Sequence, residues 1–137
     1  MTLVLDSSIA IAWLMPDEAA ETADLAIRRA IDEGAVVPAL FGLEVANVLL
    51  VSMRRQRIAL EAVAAGLTDL SAIEIRAEAA PTITTLREIS DLAARHRLTA
   101  HDAAYLELAR RLGATLATLD VSLATAARAE RVAVFAG

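Results

Sequence analysis

Short, mostly apolar runs of three or four residues recur five times along the chain, and stretches of helical periodicity separate them. Continuous apolarity over so few residues suits parallel strands covered on both faces. The predicted strands are Thr2–Leu5, Ala35–Val37, Ala72–Ile75, Thr115–Thr118 and Val132–Phe135. Helices are predicted over Ser8–Met15, Ala19–Glu33, Ala39–Arg55, Leu60–Ser71, Ile83–Arg97, Ala100–Leu112 and Val121–Glu130. Gly34 and Gly113 stand where helix stops belong. The alternation predicts an α/β domain with a parallel sheet between helix layers. A chain of 137 residues suits one domain, 1–137, and no linker, repeat or low-complexity segment divides it.

Composition removes several classes. The net charge is −5, which is unfavourable for a chain that must grip phosphates over a broad surface. All 13 basic residues are arginine. Without lysine there is no P-loop, and phosphoaspartate enzymes and receiver domains lose a residue they rely on. No Gly-x-Gly-x-x-Gly supports a dinucleotide site, so no nucleotide cofactor is expected. The absence of cysteine excludes thiolate zinc sites, disulfides and cysteine nucleophiles. The longest uncharged runs, Ser7–Pro16 and Val45–Met53, fall short of the roughly 20 apolar residues a membrane span needs. The first residues carry Asp6 and no basic group, unlike a signal peptide, so a soluble cytoplasmic protein is expected.

The chemistry concentrates in four carboxylates. In a parallel α/β sheet the helix N-termini lie at the carboxyl edge of the strands, where ligands bind. Asp6 ends the first strand in "TLVLDSS" and Asp120 follows the fourth in "TLATLD". Asp102 is in the first turn of "LTAHDAAYLELA", and Glu44 is near the start of "ALFGLEVANVLLVSM". Each Asp has an ordinary reading. Asp6 can cap the helix starting at Ser8, Asp120 can N-cap Val121–Glu130, and Thr99 with Asp102 has capping-box spacing. Glu44 is harder to place. Its same-face neighbours are Leu40, Asn47, Val48 and Val51, and no Arg lies three or four residues away. Such a Glu is costly to bury unless it is paired, by an Arg from elsewhere or by a cation. Four carboxylates at one edge would raise each other's pKa. A hard divalent ion relieves that conflict, and oxygen-only ligands suit Mg2+ or Mn2+.

With these residues in place, the sequence resembles a PIN-domain ribonuclease of the VapC toxin type. The resemblance runs through "LVLDSS", "ALFGLEVANVL", "LTAHDAAYLELARRLGATLATLD" and "LATAARAERVAVF", and so covers the whole chain. It implies a three-layer α/β/α PIN-like domain with a five-stranded parallel sheet in the order 3-2-1-4-5. It further implies that Asp6, Glu44, Asp102 and Asp120 are catalytic and metal-binding, with Ser8 and Thr118 as polar helpers. The implied activity is Mg2+-dependent hydrolysis of RNA, with Mn2+ able to substitute. The implied partners are an RNA substrate, a cognate small antitoxin and a second copy of the chain in a homodimer. His101 departs from the Tyr that many members carry before the third Asp.

The remaining residues point elsewhere. Trp13 and Tyr105 read as core or interface, and His96 is given no role. Arg28–Arg29, Arg54–Arg55, Arg95, Arg97 and Arg110–Arg111 read as last-turn residues complementing helix dipoles, at the edge opposite the carboxylates. Two other functions compete with the nuclease: a non-catalytic PIN-like module that binds RNA or protein, and a different metal-dependent phosphohydrolase. The second lacks its lysine and its acidic pair after the first strand.

Overall fold

The computed structural model describes residues 2–18 and 20–137. Strand β1 (Leu3–Leu5) leads to helix α1 (Ser7–Leu14), a 3-10 turn at Pro16–Glu18 and helix α2 (Glu21–Glu33). Strand β2 (Ala35–Val37) is followed by α3 (Phe41–Arg54) and α4 (Leu60–Ser71). Strand β3 (Ile75–Ala77), α5 (Ile83–His96), α6 (Ala100–Leu112), β4 (Thr115–Ala117) and α7 (Val121–Ala129) complete the order. The predicted helix start at Ala19 lies outside the described residues.

Among the described residues four strands form one parallel sheet, ordered β3-β2-β1-β4. Leu3, Val4 and Leu5 pair with Thr115, Leu116 and Ala117, and Val4 faces Val36 on the other side. Every residue of β1, β2 and β4 is buried. Successive side chains point to opposite faces, so both faces of the sheet are covered. Helix α1 packs on α2 and α3, while α6 packs on α5, α7 and the strands β1 and β4. From Ala103 to Ala109 every residue of α6 is buried, as befits a helix enclosed on all sides. Gly113 closes α6 at φ 61, a left-handed conformation that costs glycine little. No helix among the described residues is long and apolar enough to cross a membrane.

Two strand expectations need correction. The third strand is Ile75–Ala77, not Ala72–Ile75. Ala72 still caps α4 and Ile73 N donates to Leu70 O, so this apolar pair closes a turn, and Ile73 is buried there. The true strand is at the sheet edge, where Arg76 and Ala77 are exposed and leave no apolar signal. The fifth strand is the other case. Leu116 N donates to Ala133 O and Phe135 N to Leu116 O, both at 2.8 Å, giving a lone parallel bridge between Leu116 and Val134. Alternate residues of a strand direct their amides to opposite sides. Thr115 and Ala117 bond towards β1, to Thr2 O and from Asp6 N, so a three-residue β4 offers only Leu116 to the outer side. The segment therefore lies beside β4 without forming a ladder.

The arginine expectation also needs a small change. Arg54, Arg95, Arg110 and Arg111 do lie in last helical turns, but Arg28 and Arg29 fall before the last turn of α2.

Candidate active site

The parallel pairing of β1 with β4 brings two strand tips together, and hydroxyl groups tie them. Asp6 N donates to Ala117 O at 2.9 Å, which fixes the first residue beyond β1 against the end of β4. The Asp6 side chain is 3% exposed and makes no cap hydrogen bond to α1. Its Oδ2 accepts from Thr118 Oγ1 at 2.6 Å and from Ser8 Oγ at 2.7 Å. Ser8 Oγ also accepts from Leu119 N, and Thr118 Oγ1 accepts from Asp120 N, both at 3.0 Å. Burial pushes the Asp6 carboxyl above its ordinary range; the two hydroxyl donors oppose this, and the nearby Glu44 charge adds to it.

Asp120 does act as a cap: its Oδ1 accepts from Leu123 N at 2.9 Å at the start of α7. That reading accounts for one carboxylate oxygen. Asp102 N donates to Thr99 Oγ1 at 3.1 Å, so Thr99 caps α6 and sets Asp102 in its first turn. The half-buried Asp102 carboxyl is raised first by burial, then by the charges of Asp6 and Asp120, against a lowering hydrogen bond to Thr99. His101 beside it is exposed and lowers it slightly.

Glu44 is partly buried near the start of α3. Its partner is not an arginine. Tyr105 Oη donates to Glu44 Oε1 at 2.6 Å, from a ring that is fully buried. Tyr105 is the residue sequence reasoning missed. One signal was available: it lies three residues after Asp102 on the same helix, hence on the same face. Its phenol is raised far above the ordinary value, by burial first, then by the hydrogen bond and charge of Glu44, and by Asp6.

These effects link the four carboxylates. Asp6 senses Glu44, Asp102 senses Asp6 and Asp120, and Tyr105 senses Glu44 and Asp6. Among the described residues no Arg or His forms an ion pair with any of the four. Nor do any three His, Asp or Glu side chains, among those residues, stand close enough to enclose an ion unaided. The donor set fits a hard cation that keeps part of its water shell, as Mg2+ does when one or two carboxylates hold it. An apolar cleft of about 430 Å3 lies between the end of β2 and helices α5 and α6, lined by Pro38, Leu40, Ile89 and Leu108. None of the four carboxylates lines it, so the chemistry and this apolar cleft do not coincide.

Comparison with known proteins agrees with this architecture. Ribonuclease VapC3 of Pyrobaculum aerophilum is 33% identical over 128 residues, which span 90% of this chain and 93% of that protein. The crystal structure of PAE2754 from Pyrobaculum aerophilum is 25% identical with a TM-score of 0.69, covering 92% of this chain and 86% of that one. The crystal structure of FitAcB from Neisseria gonorrhoeae is 21% identical with a TM-score of 0.58, covering 98% and 97%, and this likeness bears on the fold alone. The PIN domain pattern matches residues 3–129, and the chain belongs to the PIN-domain family.

Proposed function

We propose that this chain is a Mg2+-dependent endoribonuclease and the toxin of a toxin–antitoxin pair. One observation carries the reading: four carboxylates that repel one another at the β1 and β4 tips, with no cationic side chain among the described residues paired to any of them. The 33%-identical relative is a ribonuclease by name, which supplies the substrate class. Asp6, Asp102 and Asp120 would hold the cation directly or through its waters, and Glu44 would ligate it or orient the attacking water. When bound, Mg2+ supplies an activated water and neutralises charge developing on the scissile phosphate.

The residues of the chain prepare that site. Ser8 and Thr118 hold Asp6 in one orientation with neutral donors, so its charge remains for the cation. The Asp102 carboxylate is disfavoured by burial and by the charges of Asp6 and Asp120, and a bound cation would relieve that repulsion. Asp120 keeps one oxygen on the α7 cap, which fixes its carboxylate relative to β4. In-line attack by water leaves a 5′-phosphate and a 3′-hydroxyl. A small antitoxin that inserts a cationic side chain into the acidic edge would switch the site off. The proposal includes one domain, a homodimer and a cytoplasmic location.

Cleavage of an RNA panel tests the activity. Mg2+ and Mn2+ should each support it, excess EDTA should stop it, and readdition of the ion should restore it. Undiminished cleavage by pure protein in EDTA would contradict the metal assignment. Products ending in 2′,3′-cyclic phosphate would contradict the water-attack chemistry.

A further inference from the structure

Tyr105 has no counterpart among the helix residues around it. From Ala103 to Ala109 the helix α6 is buried, and the neighbours of Tyr105 in that stretch are alanine, leucine and the ion-paired Glu107. A phenol enclosed there must find an acceptor, because a buried hydroxyl left unpaired keeps its full desolvation penalty. The acceptor is Oε1 of Glu44, on α3, 61 positions away in sequence. The Ser7 side chain acts on the same phenol, slightly opposing the rise in its pKa. Ser7 directly follows Asp6, so the phenol that ties α6 to α3 also lies beside the β1 tip.

Glu44 needs such a partner. Its side chain has three rotatable bonds, so fixing it costs more rotamer entropy than fixing a short or stiff side chain. Its charge also opposes that of Asp6. Without a donor the carboxylate would swing away from the cluster it has to complete. The Tyr105 ring has two side-chain torsions and is packed on every side, so its hydroxyl is a fixed point. The 2.6 Å bond transfers that rigidity to Glu44 before any ion arrives.

We infer that Tyr105 is a positioning residue of this site, holding Glu44 in the orientation that cation binding requires. The inference rests on the metal-dependent reading above and adds to it a residue that touches neither the ion nor the RNA. Partners of this kind, which hydrogen-bond a ligating group, typically govern 10- to 100-fold in metal affinity or activity.

The experiment compares wild type, Tyr105→Phe, Glu44→Gln and the double variant. Mn2+ binding is followed by the electron paramagnetic resonance of free Mn2+. RNA cleavage and melting in EDTA are measured alongside. Tyr105→Phe should weaken Mn2+ binding about 10- to 100-fold and lower kcat, with KM for RNA unchanged. In the Glu44→Gln background it should have no further effect on binding, because it acts through Glu44. Ser7→Ala should shift binding in the same direction by less, and it serves if Tyr105→Phe fails to fold. A Tyr105→Phe protein that melts lower yet binds Mn2+ as wild type does would overturn the inference. So would an equal loss in both backgrounds, or, where Ser7→Ala stands in, unchanged binding. Failure of the parent reading is distinguishable, because wild type itself would then bind no Mn2+ and cleave RNA equally in EDTA.

Discussion

Asp6 and Asp102 both have raised carboxyl pKa values, and in both the first cause is burial. A carboxyl whose folded pKa exceeds the unfolded one binds its proton more tightly in the native state. Its stabilising contribution is complete below about pH 4 and is lost as pH rises through the raised folded value. At pH 7.5 the cation-free protein therefore bears the full cost. Asp102→Asn should melt higher than wild type in EDTA at pH 7.5, and the gain should shrink towards pH 4. A lower melting temperature for the variant at both pH values would make the carboxylate a structural group. Asp120→Asn is less informative, because Asp120 caps α7 and Asn caps nearly as well. The carboxylates were legible in the sequence because each follows a strand end or opens a helix. Tyr105 was not: an aromatic between Ala104 and Leu106 has the pattern of core, and only the packed fold shows where its hydroxyl points.

At the scale of elements, two hydrogen-bonded clusters join strand and helix ends. The first is the β1–β4 tip, where the Thr118 hydroxyl donates to Asp6 and accepts from Asp120 N. Thr118→Val keeps the shape and removes both bonds. It should cost about 1–3 kcal/mol in a thermal or urea melt and reduce metal-dependent cleavage. Unchanged stability would show that the hydroxyl contributes nothing to the tip. The second cluster joins α5, α6 and the C-cap of α7. Glu130 accepts from His96 Nε2 at 2.6 Å and Arg95 at 2.8 Å, with Arg110 at 3.8 Å. The His96 hydrogen bond first, and then the arginines, hold the Glu130 carboxyl below its usual range despite some burial. A depressed pKa has the opposite sign to the case above. Its contribution is present above the unfolded value, near 4.5, and is lost as pH falls through the folded one. Glu130→Gln should thus melt a few degrees low at pH 7, and the deficit should fade in acid; a deficit constant with pH would mean that packing, not charge, is responsible.

The order and type of the elements were also legible, for a physical reason. Strands buried on both faces must be largely apolar: β1 and β2 are so throughout, and β4 is so apart from the buried Thr115. An edge strand is free of that requirement. Arg76 in β3 conceals the strand, while the buried Ile73 before it imitates one. The missing ladder at the fifth position depends on which way the Leu116 amide points, a property no side-chain pattern encodes.

For the molecule as a whole, the account joins an acidic edge to a partner that neutralises it. Expression should arrest growth, and co-expression of the cognate small protein should relieve it. Harmless high-level expression together with intact cleavage in vitro would remove the toxin role and leave the nuclease. Mg2+ that binds only the folded cluster should stabilise wild type by RT ln(1 + [L]/Kd), about 2.7 kcal/mol at 100 times Kd. The most direct measurement is cleavage of a fluorescent RNA at pH 7.5 by wild type, Asp6→Asn and Asp102→Asn, in Mg2+ and in EDTA, with melts run in parallel. The account predicts that only wild type with Mg2+ cleaves, that both variants lose at least about 100-fold while remaining folded, and that Mg2+ raises the melting temperature of wild type more than theirs. Near-wild-type cleavage by either variant, or a wild type that gains no stability from Mg2+, would contradict it.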